Sequence, residues 1–291
     1  MTGLAGLAGS RQRVRTRRRA RGGGLVPAII IGLYLVLAVV GPMLIDYDPV
    51  RTPLEDRLLA PGARTSTGAT APLGTDALGR DVFAQVVYGA RTSVLIGTAT
   101  VAVCVAIGML IGFIAGYHRG WVDSVLTRFI DILQAFPGIL LAIVIAGVFT
   151  PSLGVIIMAL SVTGWISFAR VARGVVLSVR ERYWIDAARL LGVRTGRLLR
   201  RHILPFTVGP IVAMATLEFA LVVLAEAGLS FLGIGLPTSS VSWGQTVANG
   251  KEYLSSAWWI SAVPGIALSI LVVSVGLLGD NLTARYGRAR S

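Results

Sequence analysis

Long uncharged runs separated by arginine-bearing polar segments dominate this chain. Residues 25–45 and 92–118 contain no charged side chain, and neither does the longer run 132–169. A helix rises ~1.5 Å per residue, so about 20 apolar residues cross a hydrocarbon core of ~30 Å. The first two runs therefore predict one membrane-spanning helix each, whereas the third is too long for a single helix.

Turn residues divide the third run near its middle. The sequence Thr-Pro-Ser-Leu-Gly occupies residues 150–154, and proline and glycine tend to end helices, so we expect two spans joined by a tight hairpin. Two further apolar runs, at about 206–226 and at 253–279, predict the fifth and sixth spans. The pattern as a whole predicts an all-α polytopic membrane protein with six transmembrane helices.

The segments outside these runs differ in character. A tail rich in arginine precedes the first span, and a polar segment interrupted by four prolines separates that span from the others, so we expect an irregular loop there. The predicted segments are a basic tail (1–24), the first span (25–46), an external loop (47–91), a core domain (92–282) that contains a polar loop (170–205), and a second tail (283–291).

Composition supports a membrane location. The chain is 54% hydrophobic, which is more apolar surface than a soluble domain of 291 residues can hide. Its net charge of +13 could indicate a nucleic-acid-binding protein. The basic residues, however, lie in short blocks between apolar runs, which is the pattern of a charge asymmetry across a membrane. We therefore expect membrane lipid, and no nucleic acid, among the partners.

The basic residues also predict the orientation. If the N-terminus is inside the cell, the inner segments carry 21 of the 27 basic residues and the outer segments carry 6. Lysine and arginine are in excess on the cytoplasmic side of membrane proteins. Both termini and the loop 170–205 are therefore predicted to face the cytoplasm.

The sequence offers no residues for catalysis or for a cofactor. Its one cysteine, Cys104, lies within an apolar run, and its two histidines lie far apart, so no metal site is expected. A nucleotide-binding P-loop needs a lysine after a glycine-rich turn. The single lysine, Lys251, lies in an outer segment. The chain is thus predicted to be no enzyme and to bind no ATP itself.

A compact charged segment joins the fourth and fifth spans. Residues 178–191 predict a helix, and Gly192 suits its end because glycine tolerates the left-handed conformation. We expect a second short helix over about 195–203, which Pro205 closes while it starts the next span.

Small and apolar side chains mark this segment as a docking element. Ala187 and Ala188 allow close approach, and Leu190, Leu191 and Val193 predict an apolar ridge bordered by arginines. Such a ridge suits insertion into a groove of a partner protein. The alternative is that the arginines hold the loop to anionic lipid headgroups, at ~1 kcal/mol per arginine.

The spacing of the segment resembles the cytoplasmic loop of permease subunits of bacterial ABC importers. In that pattern a Glu-Ala-Ala sequence precedes a glycine and, further on, a Leu-Pro pair. Asp186 replaces the usual Glu and is one methylene shorter. The residues that the resemblance assigns to an ATPase-coupling loop are Asp186, Ala187, Ala188, Leu190, Leu191, Gly192, Val193, His202 and Pro205.

Other motifs extend the resemblance over about residues 25–282. They resemble segments of the oligopeptide and dipeptide (peptide/nickel) permease family, in the order of its second, "C"-type subunit. These motifs occupy residues 72–81, 89–93, 120–123, 131–133, 136–138, 229–233, 242–244, 258–259, 264–265 and 278–280.

The resemblance implies a fold and a set of partners. It implies the type I ABC importer transmembrane-domain fold and a location in the bacterial cytoplasmic membrane. A homologous permease subunit would form a heterodimer with this chain. Two cytoplasmic ABC ATPase subunits would bind ATP and Mg, and an extracellular solute-binding protein would deliver the substrate.

The resemblance further implies import of oligopeptides or dipeptides, driven by ATP hydrolysis in the partner subunits. The same machinery imports nickel or glutathione, so these remain alternatives. An ion-coupled secondary transporter is an alternative of another class. It would be expected to have an internal repeat and several ionisable residues within its spans. The sequence has no evident repeat and a single deep acid, Glu218.

Glu218 is the candidate translocation-pathway residue. It lies well inside the fifth span, where a charge costs roughly 2.5–3.5 kcal/mol on insertion scales. It should therefore face a polar cavity or a partner, either as a pathway residue or as a hydrogen-bonded packing residue between helices. The sequence leaves both possibilities open. Glu226 lies nearer the outer boundary, and we expect it to be structural.

Overall fold

The computed structural model describes residues 24–237 and 239–288, without the side chains of residue 189 and of residues 285–288. The predicted basic tail thus lies almost wholly outside the described residues. The regular elements of the described part are helices, and its β-bridges are isolated pairs. The helices are α1 (Leu25–Leu44), α2 (Val82–His118), α3 (Gly120–Gln134), α4 (Gly138–Val148), α5 (Leu153–Arg180), α6 (Tyr183–Leu190), α7 (Thr195–Leu198), α8 (Leu204–Phe231), α9 (Trp243–Gly250) and α10 (Trp259–Arg288), with a π-helical segment at Leu199–Ile203 and short 3₁₀ turns at Leu54–Asp56 and Lys251–Tyr253.

Within the described residues, five helical stretches are long and apolar enough to cross a membrane. They are α1, α2, α5, the continuous stretch Thr195–Phe231, and α10 over Trp259–Ala284. Helices α3 and α4 together give a sixth candidate, with a bend of 75° between them. The predicted all-α polytopic architecture is confirmed, and this bent pair stands at the start of the predicted third span.

The bent pair of α3 and α4 is the main departure from the predicted arrangement. We predicted a span starting at residue 132, but two helices, α3 and α4, meet there with Pro137 in the break. Proline disfavours helical geometry in the residue before it and lacks a backbone donor, so the helix stops. The predicted break at 150–154 is confirmed, because Ser152 caps α5 by accepting a hydrogen bond from the N–H of Val155 at 3.2 Å.

The loop predicted over residues 47–91 is shorter than expected, because α2 begins at Val82. Asp81 caps this helix by accepting a hydrogen bond of 2.8 Å from a backbone N–H in its first turn. The polar side chains at the start of α2 hid its beginning in the sequence. Gln85 is buried and donates to the carboxylate of Asp76 at 2.9 Å, so it needs no water.

The last two spans also extend beyond their apolar runs. The predicted fifth span, 206–226, lies inside the continuous stretch Thr195–Phe231. The predicted sixth span begins at Trp259 instead of residue 253, because the residues after the 3₁₀ turn form a non-helical connection. Helix α10 then continues into the predicted second tail, since a helix does not have to end where the hydrocarbon ends.

Helices α2 and α5 pack closely through a stripe of small residues. Gly108, Gly112 and Gly116 recur on one face of α2. A Cβ atom added at Gly112 would lie 2.5 Å from the carbonyl oxygen of Ala169 on α5. Small residues allow helix backbones to approach in membranes, where apolar burial alone does not drive association. The stripe therefore brings the backbones of α2 and α5 into close contact.

The end of the bundle that carries residues 46–81 and 232–258 is named the loop end. Its centre is the buried carboxylate of Asp76, which accepts hydrogen bonds from the side chains of Arg80 (2.8 Å) and Gln85 (2.9 Å). Trp243 is fully buried nearby and donates to the carbonyl of Val86 at 2.9 Å. The motif at residues 72–81 thus folds the loop onto the start of α2.

Candidate coupling segment and mid-membrane acid

The segment between α5 and α8, residues 181–203, is named the cassette, and it lies at the opposite end of the bundle, the cassette end. The helix predicted over 178–191 is interrupted, because α5 ends at Arg180 and α6 begins at Tyr183. Both flanking charges bind the end of α2. Arg180 donates to the carbonyl of Tyr117, and Glu181 pairs with Arg119. These contacts hold the end of α5 in place while the chain turns.

Helix α6 ends in a Schellman motif centred on Gly192. This glycine has a φ of +77°, as predicted for a left-handed helix end. The N–H of Val193 donates to the carbonyl of Ala188 at 3.1 Å. The side chains of these two residues meet in one apolar cluster, which is the hydrophobic contact that accompanies this motif.

The cassette has its own small core. Five buried side chains from α5, α6, α7 and the π-helical segment form it, with Ala188 and Val193 packed against them. The buried members are Val176, Val179, Ile185, Leu198 and Ile203. The predicted ridge of Leu190, Leu191 and Val193 is therefore wrong in one member, because Val193 faces inward. Leu190 and Leu191 project outward with 89% and 84% of their surfaces exposed.

The remaining predicted coupling residues lie around this core. Asp186 and Ala187 are exposed on α6, and Pro205 is exposed in the first turn of α8. The half-buried ring of His202 lies 5.8 Å from the ring of Trp184. Pro205 does not close the second helix as predicted. The chain passes from α7 through the π-helical turn into α8, because proline is tolerated in a helix's first turn.

Arginines surround the junction between α7 and α8. They line one open groove, and among the described residues they form no ion pair. The arginines of this groove are Arg194, Arg197, Arg200 and Arg201. A hydrogen bond of 3.2 Å between the hydroxyls of Tyr117 and Thr195 links α7 to the end of α2. The cassette is thus fixed to two spans while its tip and this groove stay open.

Glu218 lies apart from the cassette, midway along α8. Its side chain is half-buried at a cavity of about 180 Å³ between α4, α5 and α8. The cavity lining is apolar except for Glu218 and Thr163, and neither group has a hydrogen-bond partner among the described residues. The structure therefore brings Glu218 to a cavity, and it places there Thr163, which sequence reasoning missed because a lone threonine in an apolar run gives no signal.

Glu226, on the same helix, has different surroundings. It is buried, and its Oε1 atom accepts hydrogen bonds from the hydroxyls of Ser230 and Ser242, both at 2.7 Å. Ser242 also caps α9. Glu226 thus joins α8 to the start of α9, in agreement with its expected structural role.

Comparison with known proteins connects this geometry to a family. Residues 108–288 match the family described as "Binding-protein-dependent transport system inner membrane component". This chain belongs to that family. The match includes the cassette, the cavity at Glu218 and the last span. Together with the apolar helices, membership makes the chain a multi-pass inner-membrane protein.

Other members of this transport family are similar over most of their length. The chain is 41% identical over 266 residues to a permease protein of Brucella suis that is named for a peptide transport system, covering 91% of this chain and 86% of that protein. It is 38% identical over 256 residues to the dipeptide transport system permease protein DppC of Bacillus subtilis, covering 87% and 78%.

A solved structure supports the fold of this inner membrane component. The chain matches the MetNI methionine ABC transporter in an inward-facing conformation, with a TM-score of 0.57 over 69% of this chain and 96% of that chain. The sequences are 18% identical, so the likeness concerns the fold alone. The predicted type I ABC importer transmembrane-domain fold is confirmed.

Proposed function

We propose that this chain forms one half of the translocation path of an ATP-driven importer of short peptides. A homologous permease subunit supplies the other half, and a solute-binding protein delivers the peptide at the loop end. Two separate ATPase subunits bind ATP and Mg and contact the cassette from the cytoplasm. This chain transmits their motion to the spans and catalyses no reaction itself.

The observation that carries the proposal is the exposed tip of the cassette. Leu190 and Leu191 lie at the end of a short helix whose opposite face is anchored in a buried cluster, and no part of the described chain covers either leucine. An apolar tip on a rigid base suits a hydrophobic groove in another protein. Helix α5 contributes Val176 and Val179 to the cluster, and Ile203 belongs to the π-helical segment that continues directly into α8. A force on the tip therefore reaches two spans.

Relatives named for peptide and dipeptide transport support a peptide substrate over nickel or glutathione. We expect a strain that lacks this gene to lose uptake of radiolabelled dipeptide and to recover it when the gene is restored. Unchanged dipeptide uptake in the deletion strain, together with lost nickel or glutathione uptake, would reassign the substrate and leave the machinery as proposed.

The docking role is tested by changing Leu190 and Leu191 together to Asp. Both side chains are exposed, so folding and membrane insertion should be unaffected. Buried apolar anchors carry much of the free energy of an interface, so we expect recovery of ATPase subunits with the tagged permease to fall about tenfold or more. Dipeptide uptake should fall with it.

The matched control is Val50→Asp, which places the same charge on an apolar side chain at the loop end that is 67% exposed. It should leave ATPase recovery unchanged. Ala188→Arg is less suitable as a test, because Ala188 packs inside the cassette and its replacement would disturb the fold. Normal ATPase recovery with the double leucine variant would contradict the docking role.

A further inference from the structure

The cavity beside Glu218 has the character of a binding site. Ten residues line it, and eight of them are glycine or apolar residues. The other two, Glu218 on α8 and Thr163 on α5, present a carboxylate and a hydroxyl that have no partner among the described residues. A small apolar cavity with a few convergent polar groups is the usual form of a site for a small ligand.

Two glycines keep space free around these polar groups. A Cβ atom added at Gly138 would lie 2.8 Å from the hydroxyl oxygen of Thr163. One added at Gly164 would lie 3.5 Å from the Oε1 atom of Glu218 and 2.8 Å from the sulfur of Cys104. Since a larger residue at either position would occupy the space, the cavity depends on both glycines.

The cavity opens between two helices with exposed apolar faces. Ile139 on α4 and Leu221 on α8 line it, and they are 48% and 60% exposed. The carboxylate of Glu218 is therefore accessible from the side of the bundle formed by α4 and α8. A ligand could reach it without unfolding of the bundle.

The chemistry of the two groups selects the ligand. A carboxylate and a hydroxyl can both accept hydrogen bonds, and an ammonium group offers three donors with a positive charge. A Ca²⁺ or Mg²⁺ ion would need about six or more oxygen ligands, and transition-metal ions favour nitrogen or sulfur ligands, whereas this cavity offers one carboxylate and one hydroxyl. Apolar walls suit the hydrocarbon that adjoins an ammonium group in an amino-terminal residue.

We propose that Glu218 and Thr163 bind the amino-terminal ammonium group of a peptide as it crosses the membrane. This inference rests on the proposed function and adds to it a specificity site within the span. The carboxylate of Glu218 accepts one or two charge-assisted hydrogen bonds from the ammonium group, and the hydroxyl of Thr163 accepts another. The first side chain of the peptide lies against Ile139 and Leu221.

The test is equilibrium dialysis of radiolabelled dialanine against the purified transporter complex without nucleotide and without the solute-binding protein. N-acetyl-dialanine, which lacks the ammonium group, is the comparison ligand. A charge-assisted contact predicts that the wild type binds dialanine at least about tenfold more tightly than the acetylated form. Glu218→Gln should abolish that difference by weakening dialanine alone.

Two further variants separate the site from folding. Thr163→Val should weaken dialanine binding about threefold, because one neutral hydrogen bond is lost. Gly138→Ala, which fills the space beside Thr163 and keeps the charge, should weaken both ligands. The control is Glu252→Gln, which removes an exposed carboxylate at the loop end and should change nothing.

Several outcomes would overturn the inference. These are equal binding of dialanine and its acetylated form by the wild type, no dialanine binding at all, and unchanged binding by Glu218→Gln. Loss of the second permease subunit from Glu218→Gln, with normal binding by Thr163→Val and Gly138→Ala, would assign Glu218 to subunit pairing instead. If one of these outcomes occurs while wild-type cells still take up dialanine, the binding site at Glu218 is refuted and the proposed function remains supported.

Discussion

Two glycines of the loop end show how neighbours decide what one residue contributes. Gly62 and Gly79 have φ values of +83° and +79°, a region that favours glycine. A Cβ atom at Gly62 would meet nothing within 4 Å, whereas one at Gly79 would lie 1.8 Å from the carbonyl oxygen of Pro53. The two positions therefore share the same backbone requirement and differ in the space available.

We expect Gly79→Ala to destabilise the loop end far more than Gly62→Ala. Gly62→Ala should cost only the left-handed strain, about 1–3 kcal/mol. Gly79→Ala should cost the same strain and also displace the backbone at Pro53. The measurement is the midpoint of thermal unfolding of the purified protein in detergent, followed by tryptophan fluorescence. Equal midpoints for the two variants would contradict the close contact.

At the scale of elements, the pairing of α2 with α5 depends on the absence of side chains. Gly108, Gly112 and Gly116 bring the backbone of α2 onto α5, where carbonyl oxygens and small side chains fill the contact. A larger side chain cannot be accommodated by a rotamer change, because its nearest neighbours include backbone atoms. The packing of α2 against α5 is therefore more sensitive to an added side-chain volume than to the loss of a polar group.

The expected result of Gly112→Leu is separation of α2 from α5 and a lower unfolding midpoint. Added volume in a tightly packed contact costs about 1–3 kcal/mol or more. Gly174→Leu is the matched control, because Gly174 lies on α5 and a Cβ atom there would meet nothing within 4 Å. Both are measured by thermal unfolding in detergent. A control as unstable as Gly112→Leu would show that leucine itself, and not the α2 contact, is responsible.

At the scale of the whole molecule, the bundle has two chemically different ends. Segments that the charge count assigns to the cytoplasm meet at the cassette end, where Arg180, Tyr117 and Thr195 form contacts. Segments assigned to the outside meet at the loop end through Asp76 and Trp259, which donates to the carbonyl of Thr75 at 3.2 Å. The structure thus groups these segments as the charge count predicts.

Cysteine labelling tests which end faces the cytoplasm. The chain's single cysteine, Cys104, is fully buried, so it should give little background. In intact cells, a membrane-impermeant maleimide should label Val50→Cys and not Leu191→Cys. Permeabilised cells that express the permease subunits without the ATPase subunits should show labelling of both, since both positions are exposed in this chain. Labelling of Leu191→Cys in intact cells would reverse the orientation.

Most of the architecture was predictable from the sequence because apolar runs indicate the spans and turn residues indicate the breaks between them. The break at Ser152 and the left-handed end at Gly192 are local properties, and both were predicted correctly. The break before α4 was missed because α3 carries charged side chains. Only its last residues fall within the uncharged run that predicted the third span, so the run showed no sign of a separate helix. The early start of α2 was missed because Gln85 is buried only through its partners, Asp76 and the distant Thr246, whose hydroxyl donates to the side-chain oxygen of Gln85 at 3.0 Å.

The position of the candidate coupling segment was predictable from the sequence, but the directions of its individual side chains were not. Its helix end is set by Gly192, whereas the inward direction of Val193 and Ala188 depends on a cluster contributed by four elements. The role of Glu218 also needed the fold. Glu218 and Glu226 lie on one helix, yet serines from two segments donate hydrogen bonds to one carboxylate oxygen of Glu226, whereas an open cavity adjoins Glu218.

By itself the sequence determined the class of protein, the number of apolar spans and the predicted orientation, because these follow from hydrophobicity and charge along the chain. The tertiary structure alone decided which leucines of the cassette are exposed, how α2 and α5 approach, and that Glu218 and Thr163 share a cavity. The reason is physical: burial and convergence depend on contacts between residues far apart in sequence, which no local pattern specifies.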